Sequence, residues 1–148
     1  MKRKRILFVC TGNTCRSPMA EAILRNLIKT HKIRWWDVTS CGIDAVTDSP
    51  MSSYSAFVLG ENKIPCEKFR AKRLTQKLIE RSTLVITMTE RQRMLLEGCG
   101  NVRSIASFCG FDVPDPYGGS IEDYRATYQA IEYACKRIIE DYILKFEE

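Results

Sequence analysis

The sequence predicts an α/β fold in which a parallel sheet is covered by helices on both faces. Two observations lead there. Short apolar, β-branched runs at residues 6–9 (ILFV) and 83–88 (TLVITM) have the length and composition of fully buried strands. Between and after them lie stretches of helical periodicity, so strands and helices alternate along the chain as they do in layered α/β folds.

Residues 6–9 run directly into Cys-Thr-Gly-Asn, which reads as a buried strand ending in a tight loop. Ser17 and Pro18 then open a helix, the serine as a cap and the proline at the first helical position. Ala20, Ile23, Leu24, Leu27 and Ile28 form its apolar stripe. Residues 35–40 read as a second strand and residues 42–53, rich in Asp, Thr, Ser and Pro, as a loop. Helices are expected at 53–60, 75–80 and 90–97, the last stopped near Gly98 and Gly100. Residues 102–105 are a short fourth strand, and residues 109–119 are a loop. Ile121, Tyr124, Tyr128, Ile131, Cys135, Ile138 and Tyr142 recur at steps of three and four and mark one long amphipathic helix.

The chain has 148 residues, enough for a hydrophobic core without disulfide or metal staples, and reads as one domain over residues 1–148. No apolar run is long enough to span a bilayer. The basic start followed by residues 6–9 lacks the small-residue cleavage site of a secretion signal. Seven cysteines in such a chain point to free thiols in a reducing compartment, and hence to a cytoplasmic protein. None lies in a Cys-x-x-Cys pair and His31 is the only histidine, so no zinc site of the usual spacing is present. The net charge of +5 is concentrated at residues 2–5 and 63–73. It suits an anionic partner, but without a basic stripe interleaved with aromatics it does not indicate nucleic acid.

The chemistry is concentrated in Cys10-Thr11-Gly12-Asn13-Thr14-Cys15-Arg16-Ser17, between a predicted strand and a predicted helix. A loop there aims consecutive backbone N–H groups at an anion, and the helix N-terminus adds unpaired donors. Gly12 and Asn13 tolerate the unusual dihedrals such a loop needs. Arg16 can grip two phosphate oxygens with its planar fork. Cys10 sits in the same field, which suits a thiolate held beneath a phosphoryl group for in-line attack, and Ser17 can donate a hydrogen bond to it.

VCTGNTCRSPMAEA resembles the signature of the low-molecular-weight protein-tyrosine phosphatase family: a cysteine, five residues, an arginine, then serine or threonine. Asp115-Pro116-Tyr117-Gly118-Gly119-Ser120 resembles the second signature of that family. The resemblance runs from the first strand to the last helix. It implies a three-layer fold with a central four-stranded parallel sheet, no metal or organic cofactor, and a phosphate or similar oxyanion in the loop. By the same resemblance, Cys10 is the nucleophile, Arg16 and the loop N–H groups hold the phosphoryl oxygens, and Asp115 protonates the leaving group and later activates water. Asn13, Ser17 and Ser40 support the loop. Tyr117 flanks the substrate and Ile43 or its neighbours form the opposing wall. Cys15 is a redox partner that can rescue an oxidised Cys10 as a disulfide.

Thr11 bears on substrate class. Family members acting on phosphotyrosine usually carry an aliphatic residue there. Members acting on phosphoarginine resemble this chain, with a loop beginning CTGNTCRSP and an acid loop like DPYGGSI. A threonine hydroxyl can hydrogen-bond a guanidinium, whereas an aliphatic side chain cannot. The histidine that many members carry ahead of RAKRLT is absent, and Phe69 stands near its place. Two other readings start from the same residues. Arsenate reductases share the ancestry but relay electrons through further cysteines, a pattern that Cys99 and Cys109 do not match. A phosphate-binding or phosphocysteine-carrier protein would need no general acid, which Asp115 supplies.

Overall fold

The computed structural model describes residues 2–66 and 68–146. The ends of the expected 1–148 domain and Glu67, within the basic 63–73 segment, lie outside the described residues. Four strands, β1 (Lys4–Cys10), β2 (Trp36–Gly42), β3 (Leu84–Thr87) and β4 (Val102–Ser104), form one parallel sheet in the order β2-β1-β3-β4. Every residue from Ile6 to Cys10 is buried, as a central strand covered on both faces requires. Ile6 and Phe8 face one way with Val38, Leu84 and Ile86. Leu7 and Val9 face the other with Cys41 and Val85.

The first face is covered by α1 (Arg16–Thr30), α2 (Ser53–Glu61), α5 (Ala106–Cys109) and α6 (Ile121–Ile138). The second is covered by α3 (Gln76–Glu80) and α4 (Glu90–Leu95), whose contribution includes Ile79 and, just past α4, Leu96. The three-layer arrangement and the four-stranded parallel sheet are therefore as expected. After β2 the chain crosses β1 to build β3 on its far side. The strand order thus reverses between β1 and β3, and a crevice opens at their carboxyl ends, where ligands collect in open α/β sheets.

Three local expectations are corrected. Helix α1 begins at Arg16, capped by the backbone of Cys15 with no side-chain hydrogen bond. Ser17 does not cap it, because its hydroxyl turns down toward Cys10 and the Cys41 carbonyl. Pro18 consequently sits in the third helical position, where its missing N–H is still harmless. Residues 106–108, to which the sequence assigns no element, and Cys109, expected to start a loop, form the helical turn α5, closed by Gly110 in the left-handed region. The last helix is not uniform. It passes through a π-helical turn over Ile139–Ile143 into α7 (Leu144–Phe146). There Tyr142 and Phe146 meet Trp36 edge-on, with ring centroids 6.0 and 5.4 Å apart.

One glycine is fixed by space. A Cβ on Gly42, at the end of β2, would sit 2.6 Å from the Thr11 carbonyl oxygen and 2.9 Å from the Asn13 nitrogen. Both are backbone atoms of the loop that follows β1, so neither can step aside alone. Gly42→Ala is expected to cost about 1–3 kcal/mol by overpacking, measured as a lowered Tm. An unchanged Tm would mean that the loop shifts freely.

Candidate active site

The loop after β1 is shaped by one side chain. Asn13 is fully buried and adopts a left-handed backbone, φ 56°. Its Nδ2 donates to Ser17 Oγ at 2.8 Å and to Ser40 Oγ at 3.0 Å, and its Oδ1 accepts from the Lys72 N–H at 2.9 Å. Its amide capacity is thereby spread over α1, β2 and the segment after α2. Ser40 passes the connection on by donating to Glu21 Oε1 at 2.8 Å. Glu21 is buried in α1 and paired through Oε2 with Arg25 at 3.2 Å.

Cys10 Sγ lies 2.8 Å from Ser17 Oγ and accepts from the Asn13 N–H at 3.3 Å. Both contacts suit a thiolate, with Ser17 as donor. Because α1 has no side-chain cap, the leading N–H groups of its first turn are left for an anion. Three backbone bonds brace the loop from outside: Ile43 N–H to the Cys10 carbonyl, Asp44 N–H to that of Thr11, and Ser52 N–H to that of Thr14, each 2.9 Å.

Arg16 is 6% exposed, which fixes its head group. Its Nη1 donates to the Val113 carbonyl at 3.1 Å and its Nη2 lies 3.7 Å from Asp115 Oδ2. Asp115 keeps a half-exposed carboxylate whose Oδ1 accepts from the Tyr117 N–H at 3.1 Å. The loop that carries it turns at Gly118, φ 80°, and ends on Ser120, the N-cap of α6. The Ser120 and Asp123 side chains there accept from each other's backbone N–H at 3.2 and 2.9 Å.

Cys10, Thr11, Gly12, Thr14, Cys15, Arg16, Asp115 and Tyr117 line one cleft of about 220 Å³. The nucleophile, arginine and acid expected from two distant segments are thus brought together. Asn13, Ser17 and Ser40 lie beneath, tied to one another. Ile43 is not among the residues lining the cleft. The strand alternation that buries Cys41 carries Ile43 to the same face, where it packs against the Leu7–Val9 side of the core. Cys15 is buried, with Sγ 3.5 Å from the Tyr124 hydroxyl, and it forms no disulfide with Cys10. Cys41 lies under the loop. Burial pushes its thiol up to about 12, with Cys10 adding to the effect and Lys72 opposing it. It therefore stays a neutral thiol beside the cleft. Cys99 and Cys109 pack on opposite faces of the sheet, and neither lines the cleft.

Sequence reasoning missed Glu21, Gln92 and Tyr124. Gln92, the third residue of α4, is buried and donates through Nε2 to Thr11 Oγ1 at 3.2 Å. Tyr124 joins Cys15 to Tyr54, whose ring meets it edge-on at 5.2 Å. The stripe of α6 gave Tyr124 as core, and nothing in the sequence marked its hydroxyl. Among the described residues, no group of three or more His, Cys, Asp or Glu side chains is placed to hold a metal ion, and no helix is long and apolar enough to cross a membrane.

Residues 5–145 match the family model described as low molecular weight phosphotyrosine protein phosphatase. The chain belongs to this family. It is a cysteine-dependent phosphatase of the low-molecular-weight class, and bacterial arginine phosphatases are among the members it resembles. It is 36% identical to the low molecular weight protein-tyrosine-phosphatase PtpB of Staphylococcus haemolyticus, over 90% of this chain and 96% of that one. The solved YwlE arginine phosphatase from Geobacillus stearothermophilus superposes with a TM-score of 0.87 at 34% identity, covering 96% of this chain and 94% of that one. The tyrosine phosphatase Wzb from Escherichia coli K30, solved in complex with sulphate, gives a TM-score of 0.85 at 28% identity, covering 94% and 98%.

The network around Asn13 can be tested apart from its backbone strain. Asn13→Gly keeps the left-handed conformation accessible but strands the Lys72 N–H and takes a donor from the hydroxyls of Ser17 and Ser40. Denaturant unfolding is expected to show a loss of about 2–3 kcal/mol; a loss below half a kcal/mol would mean that water replaces the amide without cost.

Proposed function

We propose that the protein hydrolyses phosphorylated residues on proteins through a phosphocysteine intermediate, and that phosphoarginine is the preferred substrate. The observation that carries this reading is the convergence of Cys10, Arg16 and Asp115 on one cleft, with Thr11 among the residues that line it. The loop would hold a phosphoryl group as it would hold free phosphate or sulfate, and Wzb binding sulphate supports that.

In the first step the Cys10 thiolate attacks phosphorus in line, and the bond from phosphorus to the leaving nitrogen or oxygen breaks. Arg16 and the loop N–H groups stabilise the equatorial oxygens. Asp115, protonated at the start, gives its proton to the leaving group. In the second step it takes a proton from water, which attacks phosphorus, frees phosphate and returns the thiolate. Ser17 steadies the thiolate between turnovers, while Asn13 and Ser40 keep the loop in shape. If Cys10 is oxidised to a sulfenic acid, Cys15 condenses with it to a disulfide with loss of water, and an external thiol restores both. All these groups come from the chain itself, acting as one domain. Seven cysteines in one chain of this size fit a reducing cytoplasm.

Thr11 favours phosphoarginine because its oxygen can accept from a guanidinium N–H, and the likeness to the Geobacillus arginine phosphatase supports this. Phosphotyrosine is the second reading. Tyr117, 79% exposed beside the cleft, offers a flat face to an aromatic leaving group, and the Staphylococcus haemolyticus relative is named a tyrosine phosphatase.

The test compares kcat/KM on matched phosphoarginine and phosphotyrosine peptides under reducing conditions. Cys10→Ser should abolish both activities, and Asp115→Asn should lower kcat by about 10²–10⁴. Thr11→Ile should depress the arginine-to-tyrosine ratio by about ten-fold. A wild-type preference for phosphotyrosine that Thr11→Ile leaves unchanged would overturn the arginine reading while leaving the phosphocysteine route intact.

A further inference from the structure

The switch point between β1 and β3 puts a second residue behind the substrate wall. Gln92 cannot turn its amide round. Its Oε1 accepts from the N–H of Met88 at 3.0 Å and of Thr89 at 3.1 Å, two donors that a flipped amide would oppose. Its Nε2 therefore faces Thr11, and the 3.2 Å contact has a fixed sense: glutamine donates and threonine accepts. Gln92 is itself held as the third residue of α4 in a capping box with Thr89.

A threonine hydroxyl has one proton and two lone pairs. Gln92 occupies one lone pair, so Thr11 keeps one proton and one lone pair to offer the cleft. The two substrate classes differ at the atom next to phosphorus. In phosphoarginine it is a nitrogen on a guanidinium that only donates. In phosphotyrosine it is an ester oxygen that only accepts. A hydroxyl with one of each can meet both, and its loss costs the guanidinium more, because a charged donor is the costlier group to leave unpaired.

We propose that Gln92 is a positioning residue that sets substrate breadth: by donating to Thr11 it leaves that hydroxyl able to meet either a guanidinium or an aryl ester. The inference rests on the proposed role of Thr11 at the substrate wall. It adds that this role is governed from α4, by a residue outside both signature segments.

Gln92→Glu tests it with little risk to the fold. Glutamate is a favoured residue at that capping-box position, and its oxygen can still accept from Met88 and Thr89. The introduced carboxylate cannot donate, so Thr11 must give it its proton and present lone pairs alone. The arginine-to-tyrosine ratio of kcat/KM should then rise. Part of the rise will come from negative charge near a guanidinium, so the experiment is a double-mutant cycle. The ratio is measured for wild type, Gln92→Glu, Thr11→Val and the double variant, with Tm as the check on folding. The expected result is a rise of about five-fold more in the Thr11 background than in the Thr11→Val background, the size of one hydrogen bond. An equal rise in both backgrounds, no rise, or a fall would overturn the proposal. If wild type hydrolyses only the phosphotyrosine peptide, the arginine reading fails. The cycle on that substrate alone still decides the present one, because Gln92→Glu must then cost less activity in the Thr11→Val background.

Discussion

A phosphate-gripping loop has to point many N–H groups inward while its own backbone stays folded with few internal hydrogen bonds. Here the side-chain amide of Asn13 bears that constraint. Buried and left-handed, it supplies the bonds that the loop backbone cannot make, reaching Ser17 on α1, Ser40 on β2 and the Lys72 N–H. The carboxylate of Glu21, behind Ser40, extends the chain of bonds to Arg25. The loop is thus held by the sheet and the first helix, the parts of the molecule least able to move. The position of Cys10 follows from theirs, because its sulfur touches Ser17 and the Asn13 N–H.

The second half of the site is joined to the first by Arg16. Its guanidinium spans from the Val113 carbonyl to the Asp115 carboxylate, so one buried side chain both reaches the cleft and fixes the start of the acid loop. The other end of that loop is fixed by the reciprocal bonds of Ser120 and Asp123. Two segments a hundred residues apart are brought to register by short polar contacts at both ends of a turn.

Much of this was legible in the residues themselves. Residues 6–9 followed by CTGN marked a buried strand and anion loop, and the three-and-four spacing of the last helix identified its buried face. These features are local, which is why they show in sequence. What failed to show depends on partners far along the chain. Ser17 looked like a cap because serine before proline usually is one. Only the nearness of Cys10 and the Cys41 carbonyl gives its hydroxyl other work. Ile43 sounded like a pocket wall, but just past the end of β2 it is partly buried against the Leu7–Val9 side of the core. Gln92 sits in an ordinary polar helix start, and its link to Thr11, 81 positions earlier, exists only because β3 lies beside β1. The π turn arises where Trp36 meets the two rings of the chain end, which no periodicity encodes.

The three backbone bonds that brace the loop from outside also divide the molecule's freedom to vary. Ile43 and Asp44 hold on to Cys10 and Thr11 at one end, and Ser52 holds on to Thr14 at the other. The chain between them is an arch with both feet on fixed ground. Between its feet it is tied to the segment after α2, through the Asp48 N–H to the Ala71 carbonyl at 2.8 Å and the Ala71 N–H to the Ser49 carbonyl at 2.9 Å, and it presents Val46 to solvent. Buried Ala45 and core-packed Met51 fix the register of the arch, so variation is left to its exposed positions. The surface there can change its character while the ground under Cys10 keeps its shape.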